Sequence, residues 1–429
     1  MPLAVPSARD VALDLLDAVL RRRRPLDDAV NDHPGFAVLA SRDRAFARKV
    51  VATTLRRLGQ IDDLIDRCLD RPLPPAARPS RSILRLGVAQ LLFLGTPAHA
   101  AVDTSVELAG RRRAHAYKKL VNAVLRRLER EGAGWLAGQD PARLNTPDWL
   151  WQSWRAAYGE DTCRQIAEIH LQEPPLDLTV KGEVAAWTAR LDAVVLPTGS
   201  LRRAAGGPIV DLPGYADGAW WVQDAAAALP ARLLGDVRGR TVIDLCAAPG
   251  GKTAQLAAGG ARVIAVERSA PRLKRLKENL IRLNLAAEIV QADAATWQPP
   301  EPADAVLLDA PCSATGTIRR HPDVARLKTP EDVTALAATQ ARLLGIALRM
   351  VKPGGILVYC ACSLQPEEGP LQAASLLAGG GATRIPIQTD EVGGLAGLVD
   401  GNGNLRTLPC HLADRGGLDG FYAVRWRRS

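Results

Sequence analysis

The chain has 429 residues, 47% of them hydrophobic and 24% charged, and at about 150 residues per domain this length predicts about three folded domains. No stretch reaches the roughly 20 uninterrupted apolar residues of a membrane span, and residues 1–24 lack the apolar core of a secretory signal, so we expect a cytoplasmic protein without a membrane partner. Seven cysteines, an odd and sparse set, argue against a disulfide framework and favour free thiols.

The positive charge is concentrated in the first third of the sequence. The net charge is +9. Residues 1–130 contain 24 Lys or Arg and 14 Asp or Glu, whereas the rest of the chain has 31 basic and 32 acidic residues. Such a concentration favours a polyanionic partner, most often nucleic acid, although a solvated helical surface can have the same composition.

The same first third has the apolar spacing of helices. Helices are predicted at 8–20, from 41 onward, at 80–94 and at 117–128. Strand patterns are nearly absent, so we predict an all-α domain over residues 1–132. Its basic clusters either complement helix dipoles or contact RNA phosphates. They comprise Arg21, Arg22, Arg23, Arg24, Arg111, Arg112, Arg113, Lys118 and Lys119, with Arg126 and Arg127 nearby.

Residues 133–232 differ in composition and predict a linker followed by a small α+β connecting domain. Glycines and prolines from Gly132 onward mark the linker. Strands are predicted at 176–180 and 209–212, with a helix at about 183–191 between them.

From residue 233 to 429, strand and helix patterns alternate, which predicts a Rossmann-like α/β domain with a doubly wound, mostly parallel sheet. The predicted strands are 241–245, 262–266, 287–291, 304–309 and 355–360, with a final strand at 421–427. The predicted helices are 252–258, 270–283, 331–350 and 366–378.

Polar residues stand at the ends of five successive predicted strands. They are Asp244 with the loop to Lys252, then Glu267, then Asp293, then Asp309 with Cys312, and finally the stretch from Tyr359 to Ser363. Ligands bind at the carboxyl ends of the strands in such a sheet. Any one acid could cap a helix, but five polar strand ends together favour a ligand site.

The first of these loops favours a small adenosine ligand. Glu267 follows Asp244 by 23 residues, a spacing that suits an acid bonded to a ribose. The loop matches neither the full dinucleotide glycine pattern nor the Walker phosphate loop, which disfavours a dinucleotide or a triphosphate. S-adenosyl-L-methionine, which has a ribose and an adenine but no phosphate, is therefore the predicted cofactor.

Two cysteines at the ends of neighbouring strands indicate which chemical group accepts the methyl group. A thiolate that adds to C6 of a cytosine makes C5 nucleophilic enough to take a methyl group. Asp309, beside Cys312 and Cys362, is well placed to offset the charge that builds on the ring. The alternatives are cysteines that only fill space and a metal site. The motif cysteines do not form paired zinc-ligand spacings, so no metal is expected.

The chain resembles two known families. Its C-terminal region resembles the RNA cytosine-C5 methyltransferases of the NOL/NOP/Sun type, and its N-terminal region resembles the NusB type of RNA-binding domain. The methyltransferase motifs are Asp244 to Thr253, Asp309 to Gly316, Ile318 to Asp323, Tyr359 to Ser363, and Gly420 to Ala423. The NusB-type motifs are Asp43 to Ala45, Gln90 to Leu92, Pro97 to Val102, and Leu120 to Arg126.

The resemblance implies a role for each site residue. Cys362 would be the nucleophile and Cys312 would assist release of the covalent adduct. Asp309 would contact the cytosine edge, and Lys252 would support Asp309 or the methionine end of the cofactor. The implied cofactor residues are Cys246, Ala247, Ala248, Pro249, Gly250, Gly251, Lys252 and Asp309, with Glu267 at the ribose and Asp293 at the adenine. Arg319 and Arg320 are further candidates for RNA contacts.

The resemblance also implies a substrate, which is cytosine 967 of 16S ribosomal RNA, either as naked RNA or in a small-subunit assembly intermediate. We expect a monomer. Two alternatives stay open: the same chemistry on transfer RNA, and a non-catalytic RNA-binding assembly factor with a vestigial cleft.

The motif that contains Cys362 departs from the family pattern at two positions. Ala361 stands where the family usually has Thr, and Cys360 is an additional thiol. In DNA cytosine methyltransferases the cysteine after the fourth strand attacks, and by that analogy Cys312 would be the nucleophile. The presence of both Cys312 and Cys362 favours the RNA-modifying family.

Overall fold

The structure, a computed structural model, describes residues 6–112, 114–204 and 206–429. These residues form two compact units. The first extends from residue 6 to Leu171 and also includes Arg320–Lys328, and the second consists of Gln172–Arg319 and Thr329–Ser429. No helix within the described ranges is both long enough and apolar enough to cross a bilayer.

The first unit is helical. Its helices are α1 (Ala8–Leu20), α2 (Leu26–Asp32), α3 (Pro34–Ala37), α4 (Ser41–Arg56), α5 (Leu58–Arg67), α6 (Arg78–Val88), α7 (Ala98–Arg111), α8 (Lys118–Ala137), α9 (Pro141–Asn145), α10 (Asp148–Tyr158) and α11 (Glu160–His170). Short helical turns lie at Pro75–Ala77, Ala89–Phe93 and His115–Tyr117. The four predicted helices are confirmed as α1, α4, α6 and α8, and the all-α character of this region is confirmed with them.

The first helix shows why these segments fold as predicted. The Ser7 hydroxyl accepts a hydrogen bond from Asp10 N at 3.2 Å, and the Asp10 carboxylate accepts one from Ser7 N at 3.3 Å, which together form a capping box. Helical spacing then brings Val11, Leu15 and Val19 into the core of the unit, where each is at most 1% exposed.

The linker predicted around Gly132 is wrong. Helix α8 continues to Ala137, so Gly132 is a helical residue. A Cβ at this position would come within 2.9 Å of a methyl carbon of Leu92. This glycine therefore permits close packing instead of breaking the chain into a turn.

The second unit contains two sheets. Its strands are β1 (Leu176–Val180), β2 (Val194–Val195), β3 (Leu201–Arg203), β4 (Trp220–Val222), β5 (Thr241–Leu245), β6 (Arg262–Val266), β7 (Glu288–Val290), β8 (Ala303–Asp309), β9 (Val351–Ala361), β10 (Ala382–Arg384), β11 (Leu405–Thr407) and β12 (Phe421–Arg428). Its helices are α12 (Thr188–Leu191), α13 (Leu229–Arg232), α14 (Gly251–Ala258) and α15 (Ala270–Leu283), followed, after α16 (Val324–Leu327) of the first unit, by α17 (Pro330–Met350) and α18 (Pro370–Ala378).

The large sheet positions the candidate site. Its strand order is β10-β12-β9-β8-β5-β6-β7, with β11 added beside β12. Strands β9, β8, β5, β6 and β7 pair in parallel, and β10, β11 and β12 pair antiparallel at one side. The predicted mostly parallel sheet is confirmed. The small sheet, β2-β3-β1-β4, is antiparallel throughout.

Two predictions for the second unit are wrong in detail, and several short strands were not predicted. The expected strand at 209–212 is a single helical turn, Ile209–Asp211. The expected helix at 183–191 consists of a turn, Ala185–Trp187, followed by the four-residue α12. Strands β2, β3, β4, β10 and β11 were not predicted, because two or three residues are too few to show an alternating pattern.

The segment Arg320–Lys328 belongs to the first unit although its neighbours in sequence belong to the second. Asp323 Oδ2 accepts a hydrogen bond from Leu26 N at 2.9 Å, and Arg326 Nη2 donates one to Asn145 O at 2.7 Å. A fragment without residues 1–130 would expose this segment as well as lose basic residues, so truncation is a poor test of RNA binding.

Arg319, a predicted RNA contact, is instead a buried structural residue. Its side chain is 1% exposed and forms ion pairs with Asp224 and Asp419, the latter at 2.7 Å. Its Nη1 also donates a hydrogen bond to Gly416 O at 2.8 Å. A guanidinium held on several sides inside the protein is not available to RNA, so that prediction is corrected. Arg320 lies in the first unit and is partly exposed.

Replacing Arg319 with alanine should lower the free energy of unfolding by about 3 to 5 kcal/mol, because two buried carboxylates would lose the cation that pairs with both. Urea unfolding at pH 7 measures this change. Arg342 on α17 is exposed, and its replacement by alanine should cost less than about 0.5 kcal/mol. A variant that kept wild-type stability and lost only RNA affinity would restore Arg319 as an RNA contact.

Candidate active site

The loop after β5 has the backbone geometry of a close ligand approach. Cys246 has a φ of +61° and Gly250 a φ of +102°, both in the left-handed region, and α14 begins at Gly251. At Gly250 a Cβ would be strained by that φ and would lie 3.2 Å from Leu276 Cγ. The loop places the backbone N–H groups of a helix N-terminus at the carboxyl edge of the sheet.

Asp244, the last polar residue of β5, is completely buried beneath this loop. Its Oδ2 accepts a hydrogen bond from the Thr253 hydroxyl at 2.6 Å, while its Oδ1 has no hydrogen-bond partner within the described structure. Burial raises the pKa of Asp244 to about 7, against the lowering effect of the Thr253 hydrogen bond.

The raised pKa of Asp244 predicts that the protein loses stability as the pH rises. The unfolded carboxyl titrates near 4 and the folded one near 7, so folding takes up a proton between these values, and this costs up to about 4 kcal/mol above pH 7. Asp244→Asn removes this dependence and can still accept the Thr253 hydrogen bond. Urea unfolding at pH 5 and pH 8 measures the free energy of unfolding of both proteins. Relative to the wild type, the variant should be more stable at pH 8 than at pH 5. The same difference at both pH values would contradict the raised pKa of Asp244.

Glu267 follows β6 and offers an unused acceptor. It is 3% exposed, and its Oε1 accepts a hydrogen bond from Ser269 N at 2.8 Å. Its Oε2 lies 3.4 Å from Arg272 Nη1 and has no hydrogen-bond partner among the described residues. A buried carboxylate oxygen of this kind suits the hydroxyls of a ribose. Asp293, after β7, is exposed and its Oδ1 accepts a hydrogen bond from Ala295 N at 2.8 Å.

Lys252 and Asp309 form an ion pair between the loop and the end of β8. The distance from Lys252 Nζ to Asp309 Oδ2 is 2.8 Å, and Lys252 Nζ lies 5.0 Å from the centre of the Phe421 ring. Burial alone would lower the pKa of Lys252, but the Asp309 charge outweighs it and raises that pKa above its ordinary value. The structure therefore brings Lys252 and Asp309 together as predicted. Lys252 is protonated at neutral pH.

Cys360 is a second partner of Asp309. It lies directly opposite Asp309 in the β8–β9 pairing, is fully buried, and its Sγ is 3.4 Å from Asp309 Oδ1. Burial, followed by the Asp309 charge, holds the pKa of the Cys360 thiol well above its ordinary value. A buried and protonated thiol is a poor nucleophile, so the additional cysteine does not compete with Cys362 for that role.

The two remaining motif cysteines are in contact. The distance from Cys312 Sγ to Cys362 Sγ is 3.4 Å, and both residues are partly buried. The hydrogen bond to Cys362 and then burial raise the pKa of Cys312 well above its ordinary value. Either sulfur can donate in this contact, and the raised pKa of Cys312 keeps that thiol protonated at neutral pH.

A buried polar network that the sequence interpretation missed fixes both cysteines. Glu368 is fully buried, and its carboxylate accepts hydrogen bonds from Ser313 N at 2.8 Å and from the Ser363 hydroxyl. These serines directly follow Cys312 and Cys362 in the sequence. The sequence places Glu368 six residues after Cys362, which is a possible signal. Only the fold shows that the Glu368 carboxylate binds both cysteine loops.

Close approach of two glycines completes this arrangement. Gly316 N donates a hydrogen bond to Cys362 O at 3.1 Å, and Gly420 N donates one to Gly316 O at 2.8 Å. A Cβ on Gly316 would lie 1.9 Å from Gly420 O, so neither motif tolerates a side chain there. The loop that contains Cys312 is thereby held against β9 and β12.

The basic candidates of the first unit are partly neutralised by neighbouring acids. Arg112 lies 2.8 Å from Asp14, and Arg21 lies 3.0 Å from Asp17. Further ion pairs join Arg24 to Asp32, Arg111 to Asp10 and Glu107, Arg126 to Glu129, and Arg127 to Glu131. Arg22, Arg23 and Lys119 are exposed and Lys118 is partly exposed. Arg113 lies outside the described residues.

The described ranges contain no group of three His, Cys, Asp or Glu placed to hold a metal ion.

Two regions match protein families. Residues 231–426 match the family described as 16S rRNA methyltransferase RsmB/F, and residues 6–130 match the NusB family. The predicted resemblances of both regions are thereby confirmed.

Curated relatives extend across both regions. The chain is 35% identical over 387 residues to ribosomal RNA small subunit methyltransferase B of Klebsiella pneumoniae subsp. pneumoniae, which covers 86% of this chain and 89% of that protein. It is 37% identical over 404 residues to the protein of the same name from Pseudomonas putida, which covers 90% of each chain.

Solved structures share the fold. The crystal structure of PH0851 has a TM-score of 0.77 at 22% identity and covers 99% of this chain and 100% of that chain. NSun6 from Pyrococcus horikoshii has a TM-score of 0.57 at 19% identity and covers 66% of this chain and 98% of that chain. With the fold shared and curated relatives above 30% identity along most of their length, the chain belongs to the 16S rRNA methyltransferase RsmB/F family.

Proposed function

We propose that this methyltransferase moves a methyl group from S-adenosyl-L-methionine to C5 of a cytosine in 16S ribosomal RNA, with cytosine 967 as the target that the family resemblance suggests. The observation that supports this chemistry most directly is the pair of thiols, Cys312 and Cys362, in contact at 3.4 Å beside the Lys252–Asp309 ion pair. Curated relatives named for small-subunit ribosomal RNA support the choice of RNA.

The cofactor would lie on the loop after β5. The residues proposed to line it are Cys246, Ala247, Ala248, Pro249, Gly250, Gly251 and Lys252, with Glu267 at the ribose, Asp293 at the adenine side and Asp309 near the reacting end. The buried Oε2 of Glu267, which has no hydrogen-bond partner among the described residues, is the feature that fits a ribose hydroxyl. When bound, S-adenosyl-L-methionine supplies an electrophilic methyl group. The residues of the chain bind it, exclude water and activate the acceptor.

Cys362 would activate the cytosine by covalent addition. Its thiolate forms a bond to C6. The electron pair of the C5–C6 double bond moves toward C5 and the conjugated C4–N3 bond, and C5 becomes nucleophilic. Asp309, held by Lys252 on one oxygen and by Cys360 on the other, retains lone pairs that can accept a hydrogen bond from the base edge. Because both neighbours are fixed, the carboxylate is oriented before the RNA arrives.

Cys312 would act in the second half of the reaction. After methylation, the C5 proton leaves and the C6–S bond breaks, which restores the aromatic ring and the Cys362 thiolate. The Cys362 charge is one cause of the raised pKa of Cys312, and the C6–S bond removes that charge. Cys312 is therefore easier to ionise in the adduct. Its proton passes to solvent, and the resulting Cys312 thiolate takes the C5 proton as the C6–S bond breaks.

The helical region would supply RNA contacts. We keep the division into an all-α RNA-binding domain (1–132), a connecting region (133–232) and a methyltransferase domain (233–429) as a proposal. The proposed RNA contacts are Arg21, Arg22, Arg23, Arg24, Arg111, Arg112, Lys118, Lys119 and Arg320. We further propose that the enzyme acts in the cytoplasm as a monomer, on naked 16S RNA or on a small-subunit assembly intermediate.

Bisulfite sequencing of ribosomal and transfer RNA from cells with and without the protein tests the proposal. A single 16S cytosine that loses methylation in the deletion strain, and regains it with the wild-type gene, is the expected result. Loss at a transfer RNA position would favour the alternative substrate. No change in any RNA, together with binding of labelled S-adenosyl-L-methionine, would favour the non-catalytic assembly factor.

A further inference from the structure

The first unit contains a pocket lined by arginines. Its volume is about 690 Å³, and five of its eight lining residues are Arg21, Arg22, Arg78, Arg81 and Arg85. The first two lie just after α1, and the other three project from α6. We propose that this pocket binds the backbone phosphates of the RNA substrate, an inference that rests on the proposed function.

Bidentate hydrogen bonds to aspartates fix the side chains of two of the arginines. Arg85 donates to both oxygens of Asp62 at 2.8 and 2.7 Å, and Arg81 donates to both oxygens of Asp66 at 2.6 and 3.0 Å. Their side chains are only 18% and 23% exposed. A guanidinium has five N–H donors, so Arg85 keeps three for a ligand after it has paired with Asp62. Fixed guanidinium forks bind phosphate with little loss of side-chain entropy.

Two of the other three arginines have no acidic partner in the part of the chain that the structure describes. Arg21 pairs with Asp17 at 3.0 Å, whereas Arg22 and Arg78 are exposed and have no ion pair with any residue of the described ranges. Five arginines therefore face three aspartates, which leaves an excess of two positive charges in a concave surface. The first residue of α6 is Arg78, and no side chain caps that helix end, which adds a favourable dipole for an anion.

These features favour RNA over a single small anion or an acidic protein segment. The pocket is far larger than one phosphate, and its unpaired arginines come from two different elements, an arrangement that suits successive phosphates of a strand. Arginine is the residue best suited to bidentate phosphate contacts. Arg21 and Arg22 were predicted from the sequence as RNA contacts, whereas only the fold brings the three arginines of α6 beside them.

The double variant Arg22→Gln/Arg78→Gln tests the inference, because neither residue stabilises the fold by an ion pair. Its affinity for an in vitro 16S RNA transcript is measured from 50 to 400 mM KCl, beside the control Arg42→Gln/Arg71→Gln, two exposed arginines of the same unit that do not line the pocket. We expect the slope of log affinity against log salt to fall by about 1.4 to 1.8 for the pocket variant, since each lost phosphate contact removes about 0.7 to 0.9. The control should keep the wild-type slope.

Equal slopes for both variants would overturn the pocket assignment, and so would a pocket variant that matches the wild type. Binding of a poly-glutamate peptide as tightly as RNA, with the same dependence on Arg22 and Arg78, would overturn the choice of RNA. Methyl transfer separates this inference from the proposed function. If the wild type methylates RNA, the pocket variant should show a raised KM with kcat unchanged. If the wild type binds RNA through the pocket and methylates none, only the proposed function fails.

Discussion

Replacing Cys362 with alanine is expected to reduce methyl transfer by about 10³-fold or more, since the removal of a covalent nucleophile eliminates the step that activates C5. Transfer of a tritiated methyl group from S-adenosyl-L-methionine to a 16S transcript measures the rate. The cofactor affinity should be unchanged, because the proposed cofactor residues lie after β5, β6 and β7 and at the end of β8, and Cys362 is not among them. The loss should therefore fall on kcat.

The matched control is Cys410→Ala, which removes a partly buried thiol that belongs to none of the methyltransferase motifs. Burial raises the pKa of Cys410, so its thiol is protonated and inert, and the variant should retain wild-type activity. If Cys362→Ala kept more than a tenth of the wild-type rate, the covalent mechanism as written would be wrong.

Replacing Cys312 with alanine is expected to trap the enzyme on its RNA. The Cys362 thiolate can still add to C6 and methylation can proceed, but the group proposed to assist removal of the C5 proton is gone. The C6–S bond then persists, and a protein–RNA adduct should survive denaturing electrophoresis. Turnover should fall strongly while a single turnover of methyl transfer remains measurable in the trapped adduct.

The double variant Cys312→Ala/Cys362→Ala is the control for this trap, because it lacks the sulfur that forms the bond and should give no adduct. The reverse pattern, an adduct with Cys362→Ala and none with Cys312→Ala, would exchange the two roles. That result would make Cys312 the nucleophile, as in the DNA cytosine methyltransferases, in which the cysteine after the fourth strand attacks.

The two thiols illustrate how far the sequence interpretation reached. The position of Cys312 after β8 and of Cys362 after β9 followed from apolar strand runs, and parallel strands adjacent in a sheet bring such ends together. The contact between their sulfur atoms at 3.4 Å did not follow. It depends on Glu368, Gly316 and Gly420, which fix the two loops through long-range hydrogen bonds and close backbone approach.

Arg319 and Cys360 show where residue type alone misleads. A charged residue in a basic motif was expected at the surface, but two acids from distant parts of the chain, Asp224 and Asp419, bring Arg319 inside. Cys360, in β9, precedes Cys362 by only two residues. Its burial and its contact with Asp309 make it a protonated donor instead of a nucleophile.

The sequence by itself determined four helices of the first unit, the parallel direction of the strands around Asp244, Glu267 and Asp309, and the family, because these depend on local periodicity and short motifs. Only the tertiary structure decided which charges are neutralised and which are available. Ion pairing depends on residues distant in sequence, as in the arginine-lined pocket, where α1 and α6 meet and three aspartates leave two positive charges in excess. The same is true of the segment Arg320–Lys328, which packs in the first unit because its partners Leu26 and Asn145 are there.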